Sequence, residues 1–249
     1  MDTQSSSSLI YTKPKAVIVG GGSGIAQALC AQLGELEHYQ VHVVSRARPD
    51  TLADAAIYHA CDYSEHALAA VADSINLLPG TLERLVICNG VLHGDTFQPE
   101  RALKQLKAET LLHVMQVNAV IPALVLSAFT RQLRHASAPR IAALSARVGS
   151  IGDNQLGGWY SYRASKAALN MLLRSAAVEL SRANKSAKLI AFHPGTTDTP
   201  MSKPFQQGVA SNKLFTPAFV AERLLHILDT VAADGQLSFL DWAGQTIDW

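Results

Sequence analysis

The stretch Lys15-Ala16-Val17-Ile18-Val19-Gly20-Gly21-Gly22-Ser23-Gly24-Ile25-Ala26 decides how the chain is read. A short apolar run stops at a cluster of glycines, and beyond them Ala28, Leu29 and Leu33 fall at helical spacing. Strand, glycine-rich turn and helix in that order bring backbone N–H groups and a helix N-terminus to one point, which suits a pyrophosphate. Gly20 permits the sharp turn, and Gly24 lets a ligand approach the backbone. Ala26 stands where a third small residue lets helix and strand pack closely. Taken alone, a flexible hinge or a plain turn would carry the same glycines.

The pattern then repeats. Val41–Ser45 reads as a second strand, Ala56–Asp62 as a third and Arg84–Cys88 as a fourth, with a helix from Glu65 to Leu77 between the last two. Helical spacing from Ala108 to His135 includes Asn118 and Pro122, and proline inside a helix removes a hydrogen bond and kinks it. Such a kink frees backbone carbonyls near Asn118 to hold water. Arg140–Ser145 and Leu189–His193 are the fifth and sixth strands, a helix lies between them, and a last helix at Pro217–Val231 precedes a strand at Gln236–Leu240. Strands alternating with helices, with no break in composition, predict one doubly wound parallel α/β sheet of about seven strands with helices on both faces. Residues 14–249 form this single domain, and residues 1–13 are expected to be a flexible extension.

Composition narrows the functional classes. Of 249 residues, 48% are hydrophobic and 16% charged, enough for a large core and unlike a disordered chain. A net charge of +1 gives no reason to expect nucleic acid or an anionic membrane as partner. Cys30, Cys61 and Cys88 are odd in number and widely spaced, without a metal-ligand pattern, which predicts reduced thiols in a cytoplasmic setting. The start of the chain lacks the basic and apolar regions of a signal peptide, and the sequence suggests no membrane span.

Several strand ends carry chemistry. The second strand runs through Ser45 to Arg46, where an acidic residue would bind a ribose 2′-hydroxyl and an arginine suits a 2′-phosphate, so NADP(H) is preferred and NAD(H) remains open. Asp62, at the end of the third strand, is placed to accept from an adenine amine or to cap a turn. Asn89-Gly90 closes the fourth strand with a turn that allows close backbone approach. Pro194-Gly195 closes the sixth, and the hydroxyls of Thr197 and Thr199 either meet a nicotinamide amide or phosphate or cap the next helix. Lys203–Leu214 reads as a mobile flap.

In Tyr160-Ser161-Tyr162-Arg163-Ala164-Ser165-Lys166, Tyr162 and Lys166 are four apart and share one helix face. A phenol titrates near pH 10, too high for ready proton transfer at neutrality. An ammonium about 4 Å away, at an effective dielectric of about 20, attracts the phenolate by roughly 4 kcal/mol, or about three pKa units. By itself the pair could equally be a packed ring beside a solvated lysine.

Together and in this order, these motifs resemble the short-chain dehydrogenase/reductase family over about Lys15 to Trp249. Ser145-Ala146-Arg147-Val148-Gly149-Ser150-Ile151 and Phe239-Leu240-Asp241-Trp242 are similar to the branch of sniffer-type carbonyl reductases and C-factor-like proteins. The resemblance implies a Rossmann-like domain and a proton exchanged between Tyr162 and a carbonyl or alcohol oxygen. Lys166 would lower the Tyr162 pKa and bind the nicotinamide ribose, Asn118 would hold a relay water, and Ser145 would polarise the carbonyl. It places the cofactor on Gly20, Gly22, Ser23, Gly24, Ile25, Ser45, Arg46, Asp62, Tyr63, Asn89, Gly90, Tyr162, Lys166, Pro194, Gly195, Thr197 and Thr199. A homodimer or homotetramer paired through the two long helices is expected.

The chain departs from the family pattern in three places. Cys88 replaces an asparagine that bridges strands, and Ala26 replaces the loop's last glycine. Ala146 occupies the place, three before Gly149, where many members carry the catalytic serine. Ser145 after a one-residue shift, Ser150, or no hydroxyl at all then fills that role. The family expectation is an NADP(H)-dependent carbonyl reductase. The alternatives are a C-factor-like regulatory nucleotide-binding protein with little turnover and an NAD-linked alcohol dehydrogenase.

Overall fold

The computed structural model describes residues 12–52 and 54–249; most of the expected N-terminal extension lies outside the described residues. In chain order the elements are β1 (Lys15–Val19), α1 (Gly24–Glu35), β2 (Gln40–Ser45), β3 (Ile57–Ala60), α2 (Glu65–Asn76), β4 (Leu82–Ile87), α3 (Ala108–Met115) and α4 (Ile121–His135). They continue with β5 (Arg140–Leu144), α5 (Tyr160–Ala183), β6 (Lys188–His193), β7 (Thr196–Thr197), β8 (Leu214–Phe215), α6 (Pro217–Thr230) and β9 (Leu237–Asp241). Seven strands pair in parallel in the order β3-β2-β1-β4-β5-β6-β9, while β7 and β8 form a separate parallel pair.

β1 is buried on both faces, as expected of a parallel strand covered by helices on each side. Val17 and Val19 enter the core under α2, α4 and α5, and Ala16 and Ile18 enter the one under α1 and α6. Side chains alternate along a strand, so one apolar run serves both layers. In the first core Phe129 and Leu133 are fully buried, each worth about 1.5–3 kcal/mol of transfer free energy. The helical run Ala108–His135 is long and apolar enough to cross a membrane by composition, but Val125, Leu126, Phe129 and Leu133 pack into this core.

That run contains a π turn at Gln116–Val120, just ahead of Pro122. Pro122 has no N–H for the Asn118 carbonyl four residues back, and the widened turn, with Ile121 N–H bonding to Gln116 O, absorbs the defect without ending the helix. The third strand is shorter than expected and ends before Asp62. The Lys203–Leu214 segment carries two short 3-10 turns and feeds β8, so it is more structured than the expected flap.

Reversal of strand order between β1 and β4 opens a crevice at the carboxyl ends of the strands, where ligands bind in this architecture. Gly20 makes the close approach there. Its φ is +87°, and a Cβ would lie 2.8 Å from Asn89 N and 2.9 Å from the Cys88 carbonyl carbon. Cys88 N–H donates to Val19 O at 2.7 Å, a backbone bond that continues the pairing of β1 with β4 whatever side chain stands at 88. The Cys88 thiol faces the apolar layer under α1 and α6, and burial pushes its pKa up.

Candidate active site

The glycine loop enters α1 through Ser23, whose hydroxyl oxygen accepts from Ala26 N–H at 3.1 Å. The N–H groups of Gly24 and Ile25, in the first turn, have no intrahelical acceptor and suit an anion, and that turn carries no acidic side chain. Space around Gly22 is open, and the Thr199 methyl reaches to 3.5 Å of where a Gly24 Cβ would stand. Loops after β1 and β6 therefore close on each other. Asn89 Oδ1 is buried without a partner at the floor of the crevice. An orphaned acceptor beside open glycine backbone and a helix N-terminus fits a dinucleotide.

Other expected cofactor residues divide by exposure. Arg46 is exposed at the end of β2. Ser45 is buried, and its hydroxyl donates to Ala47 O at 2.7 Å, so it shapes the β2 turn. Asp62 is exposed, and its carboxylate accepts from Ser64 N–H at 2.8 Å, the bond that chiefly holds its pKa below the usual range. Tyr63 is buried at φ +68°, with Asn89 and Arg46 near its phenol. Thr197 donates to Pro194 O at 3.4 Å and Thr199 to Thr197 O at 3.3 Å, long bonds internal to the loop. Gly195 has φ +71° and stands against the Phe215 and Trp242 rings.

Tyr162 and Lys166 lie on the first turns of α5. Lys166 is buried, and its ammonium donates to Leu144 O at 2.8 Å and sits 5.7 Å from the Tyr162 ring centre. Burial lowers its pKa to about 8. The Tyr162 hydroxyl has no hydrogen-bond partner among the described residues, and burial raises its pKa to about 12. This reverses the expected depression. The ammonium bonds to a carbonyl instead of the phenol, so desolvation sets the direction.

Asn118 is fully buried and its side chain is fully used. Its Oδ1 accepts from Val91 N–H at 2.7 Å, and its Nδ2 donates to Val91 O and Ser165 Oγ, each at 2.9 Å. It ties the loop after Gly90 to α5, which leaves the backbone carbonyl released by Pro122 as the group able to take a water. A Cβ on Gly90 would lie 3.7 Å from Asn118 Oδ1 and 3.8 Å from Lys166 Nζ. Gly149 gives the loop after β5 a similar close approach, with a Cβ only 2.8 Å from Lys166 Cβ. Ser145 Oγ donates to Asn170 Oδ1 at 2.7 Å, and Ser150 Oγ accepts from Asp153 N–H at 3.0 Å.

Glu100 and His93 had no signal in the sequence that singled them out. Glu100 is buried, and its carboxylate accepts from the N–H of Ser161 at 3.1 Å and from the Ser161 hydroxyl, capping α5 from a distant loop. Its carbonyl accepts from Trp159 N–H at 2.5 Å. Trp159 is left-handed at φ 50°, a conformation costing about 1–3 kcal/mol that persists only where the surroundings impose it. Its indole meets Tyr162 edge-on at 6.2 Å and Phe205 at 5.1 Å, and Phe205 meets His93 at 5.6 Å. His93 Nε2 lies 3.1 Å from Met201 O and must carry the proton there, because a carbonyl only accepts. Leu92 is buried, and Leu156 is 92% exposed.

The structure brings a buried lysine and a half-buried tyrosine on α5 together with a glycine loop at the carboxyl ends of the parallel strands. The short-chain dehydrogenase family model matches residues 14–210, and the chain belongs to that family. It is 30% identical to the C-signal of Myxococcus xanthus over 59% of this chain and 84% of that one. It is 28% identical to carbonyl reductase family member 4 of Danio rerio over 91% and 95% of the two chains. A Burkholderia multivorans short-chain dehydrogenase/reductase structure with bound NADP superposes with a TM-score of 0.80 at 21% identity, covering 96% and 100% of the chains.

Proposed function

We propose that the protein is an NADP(H)-dependent oxidoreductase that reduces an aldehyde or ketone to an alcohol, with Tyr162 as the proton donor. The observation that carries this reading is the free Tyr162 hydroxyl, half-buried above a buried Lys166 beside the glycine loop. The nucleotide supplies hydride chemistry when bound. Gly20, Gly22, Ser23, Gly24 and Ile25 would hold its pyrophosphate, Arg46 its 2′-phosphate, and Asp62 and Tyr63 its adenine end. Asn89, Gly90, Pro194, Gly195, Thr197 and Thr199 would line its nicotinamide half. Tyr162 passes its proton to the substrate oxygen. Lys166 would face the ribose and stabilise the phenolate left behind, and the Asn118 carbonyl would take the water that returns the proton. Trp159, Phe205 and His93 give the substrate an apolar wall with few competing charges.

Titration with NADPH and NADH, followed by nicotinamide fluorescence and then by an aldehyde and ketone panel, tests the proposal. Tight NADPH binding with substrate-dependent oxidation supports it. Binding with no oxidation across the panel instead favours a regulatory nucleotide-binding role, which the identity with C-signal keeps in view. Arg46→Glu is expected to weaken NADPH binding by roughly 10–100-fold, the loss of one charged contact to phosphate, and to spare NADH. Equal weakening of both nucleotides would remove Arg46 from the 2′-phosphate site and reopen the NAD-linked reading.

Leu112 and Met171 are 69% and 66% exposed on the outer faces of α3 and α5, and we assign these faces to a homodimer or homotetramer contact. Sedimentation should show an oligomer that Met171→Asp converts to monomer; a monomeric wild type would refute this contact. The three buried, unpaired thiols fit a reducing cytoplasm.

A further inference from the structure

α5 begins without a cap of its own. Its N-cap residue is Trp159, whose side chain accepts nothing from the first turn, and Gly157, Gly158 and Trp159 are left-handed in succession at φ 63°, 65° and 50°. The missing acceptor comes from Glu100, buried in the loop between β4 and α3. One carboxylate oxygen accepts from Ser161 N–H at 3.1 Å and the other from the Ser161 hydroxyl, while the Glu100 carbonyl accepts from Trp159 N–H at 2.5 Å. Orphan N–H groups and the helix dipole both favour a carboxylate at that end. The loop holds Glu100 in turn, since Gln105 Oε1 accepts from Arg101 N–H at 2.7 Å and Ala102 N–H at 3.1 Å. One turn along the helix, Asn118 Nδ2 donates to Ser165 Oγ and to Val91 O near the start of the same loop. Ser161 and Ser165 are four apart and share a face, and Tyr162 and Lys166 share the next one, about 100° round the axis. Two ties on the serine face therefore bracket Tyr162.

We infer that Glu100 is a positioning residue for the proton step: it fixes the rotation of the first turn of α5, and with it the place of the Tyr162 hydroxyl. This rests on the reductase reading and adds to it a residue outside the expected site. Glu100 acts through Ser161 and Trp159 and does not touch the substrate. A small rotation of a helix is magnified at the tip of a long side chain, and a displacement of about 1 Å at reacting atoms costs about 10²-fold in rate. Lys166 has an anchor of its own in Leu144 O at 2.8 Å, so loss of Glu100 shifts Tyr162 against a lysine that stays in place. The glycine loop and the end of β2, where the nucleotide phosphates are proposed to sit, make no bond to Glu100. Nucleotide affinity should therefore be spared while the proton step suffers. The role belongs to the shape of the side chain, not to its charge. A glutamine amide can make the same two bonds, its oxygen accepting from Ser161 N–H and its nitrogen donating to Ser161 Oγ.

The test uses the full-length wild type, Glu100→Ala, Glu100→Gln and Ser161→Ala, with Phe129→Leu in the first core as a destabilised control away from the site. Melting midpoint, NADPH affinity, and kcat and KM for the aldehyde or ketone that the wild type reduces best are recorded where every variant is folded. Glu100→Ala should lower kcat about 10–100-fold with NADPH affinity within about threefold of wild type. Glu100→Gln should recover most of that loss. Ser161→Ala keeps the N–H bond, should cost about 3–10-fold in kcat, and decides the matter if Glu100→Ala does not fold. Phe129→Leu should melt earlier and keep the wild-type kcat. The inference is overturned if Glu100→Ala, or Ser161→Ala in its stead, turns over like the wild type. It is overturned as well if Phe129→Leu loses kcat in step with its melting midpoint, as a merely structural role for Glu100 requires. Glu100→Gln as slow as Glu100→Ala would also overturn it, since charge and not position would then matter. A wild type that binds NADPH and reduces no carbonyl of the panel sinks the reductase reading itself, and the positioning role falls with it.

Discussion

Tyr162→Phe should lower kcat by roughly 10²–10⁴-fold while leaving nucleotide affinity nearly unchanged. The hydroxyl makes no hydrogen bond among the described residues, so its removal orphans no protein group, and the ring keeps its edge contact with Trp159. A stability change below about 0.5 kcal/mol is expected, which separates chemistry from folding. Single-turnover oxidation of NADPH, with fluorescence titration of the same sample, checks both halves. A variant that keeps more than a tenth of wild-type turnover would remove Tyr162 from the proton step.

The pH dependence follows from Lys166 and has a definite sign. Its folded pKa, lowered by burial to about 8, lies below the ordinary 10.5. Between those values the unfolded chain binds more protons than the folded one, so the burial penalty is fully present below about pH 8 and is relieved as pH rises toward 10.5. Reduction needs the ammonium and the protonated phenol together, and burial holds the phenol at about 12. The reductive rate should therefore fall as pH rises through the Lys166 pKa, and Lys166→Met should be slow and lack that limb. A flat wild-type profile from pH 6 to about 10 would count against this role for Lys166.

What the sequence shows of this fold is what short-range rules govern. A glycine loop after an apolar strand, and a tyrosine four before a lysine, need only local geometry, and both lie where those rules put them. Pro122 likewise announced a break in the helix near Asn118, though not that a π turn would contain it. The fate of Ser145 depended on Asn170, 25 residues on, and the cap of α5 on Glu100, 61 residues before Ser161. No periodicity encodes such pairings. The shift at Tyr162 was misjudged for the same reason. The sequence shows the lysine beside it but neither the Leu144 carbonyl that engages the ammonium nor the depth of burial.

Gly20→Ala should damage both folding and nucleotide binding, because one added methyl offends twice. At φ +87° a residue with a Cβ carries roughly 1–2 kcal/mol of strain. The methyl would also stand 2.8 Å from Asn89 N and 2.9 Å from the Cys88 carbonyl carbon, and these are backbone atoms that no rotamer can move away. Relief requires β1 and β4 to part at their carboxyl ends, against the 2.7 Å bond from Cys88 N–H to Val19 O. A loss of about 2–4 kcal/mol is expected, which in a domain of this size lowers the melting midpoint by roughly 5–15 °C. Gly22→Ala is the matched control, since nothing lies within 4 Å of its added methyl and its φ is not in the left-handed region. It should therefore melt like the wild type. If nucleotide affinity falls in Gly22→Ala as well, the loop carries the pyrophosphate, because that methyl can obstruct only a ligand. If the two variants melt alike, the close crossing of β1 and β4 at Gly20 does not hold the switch point together.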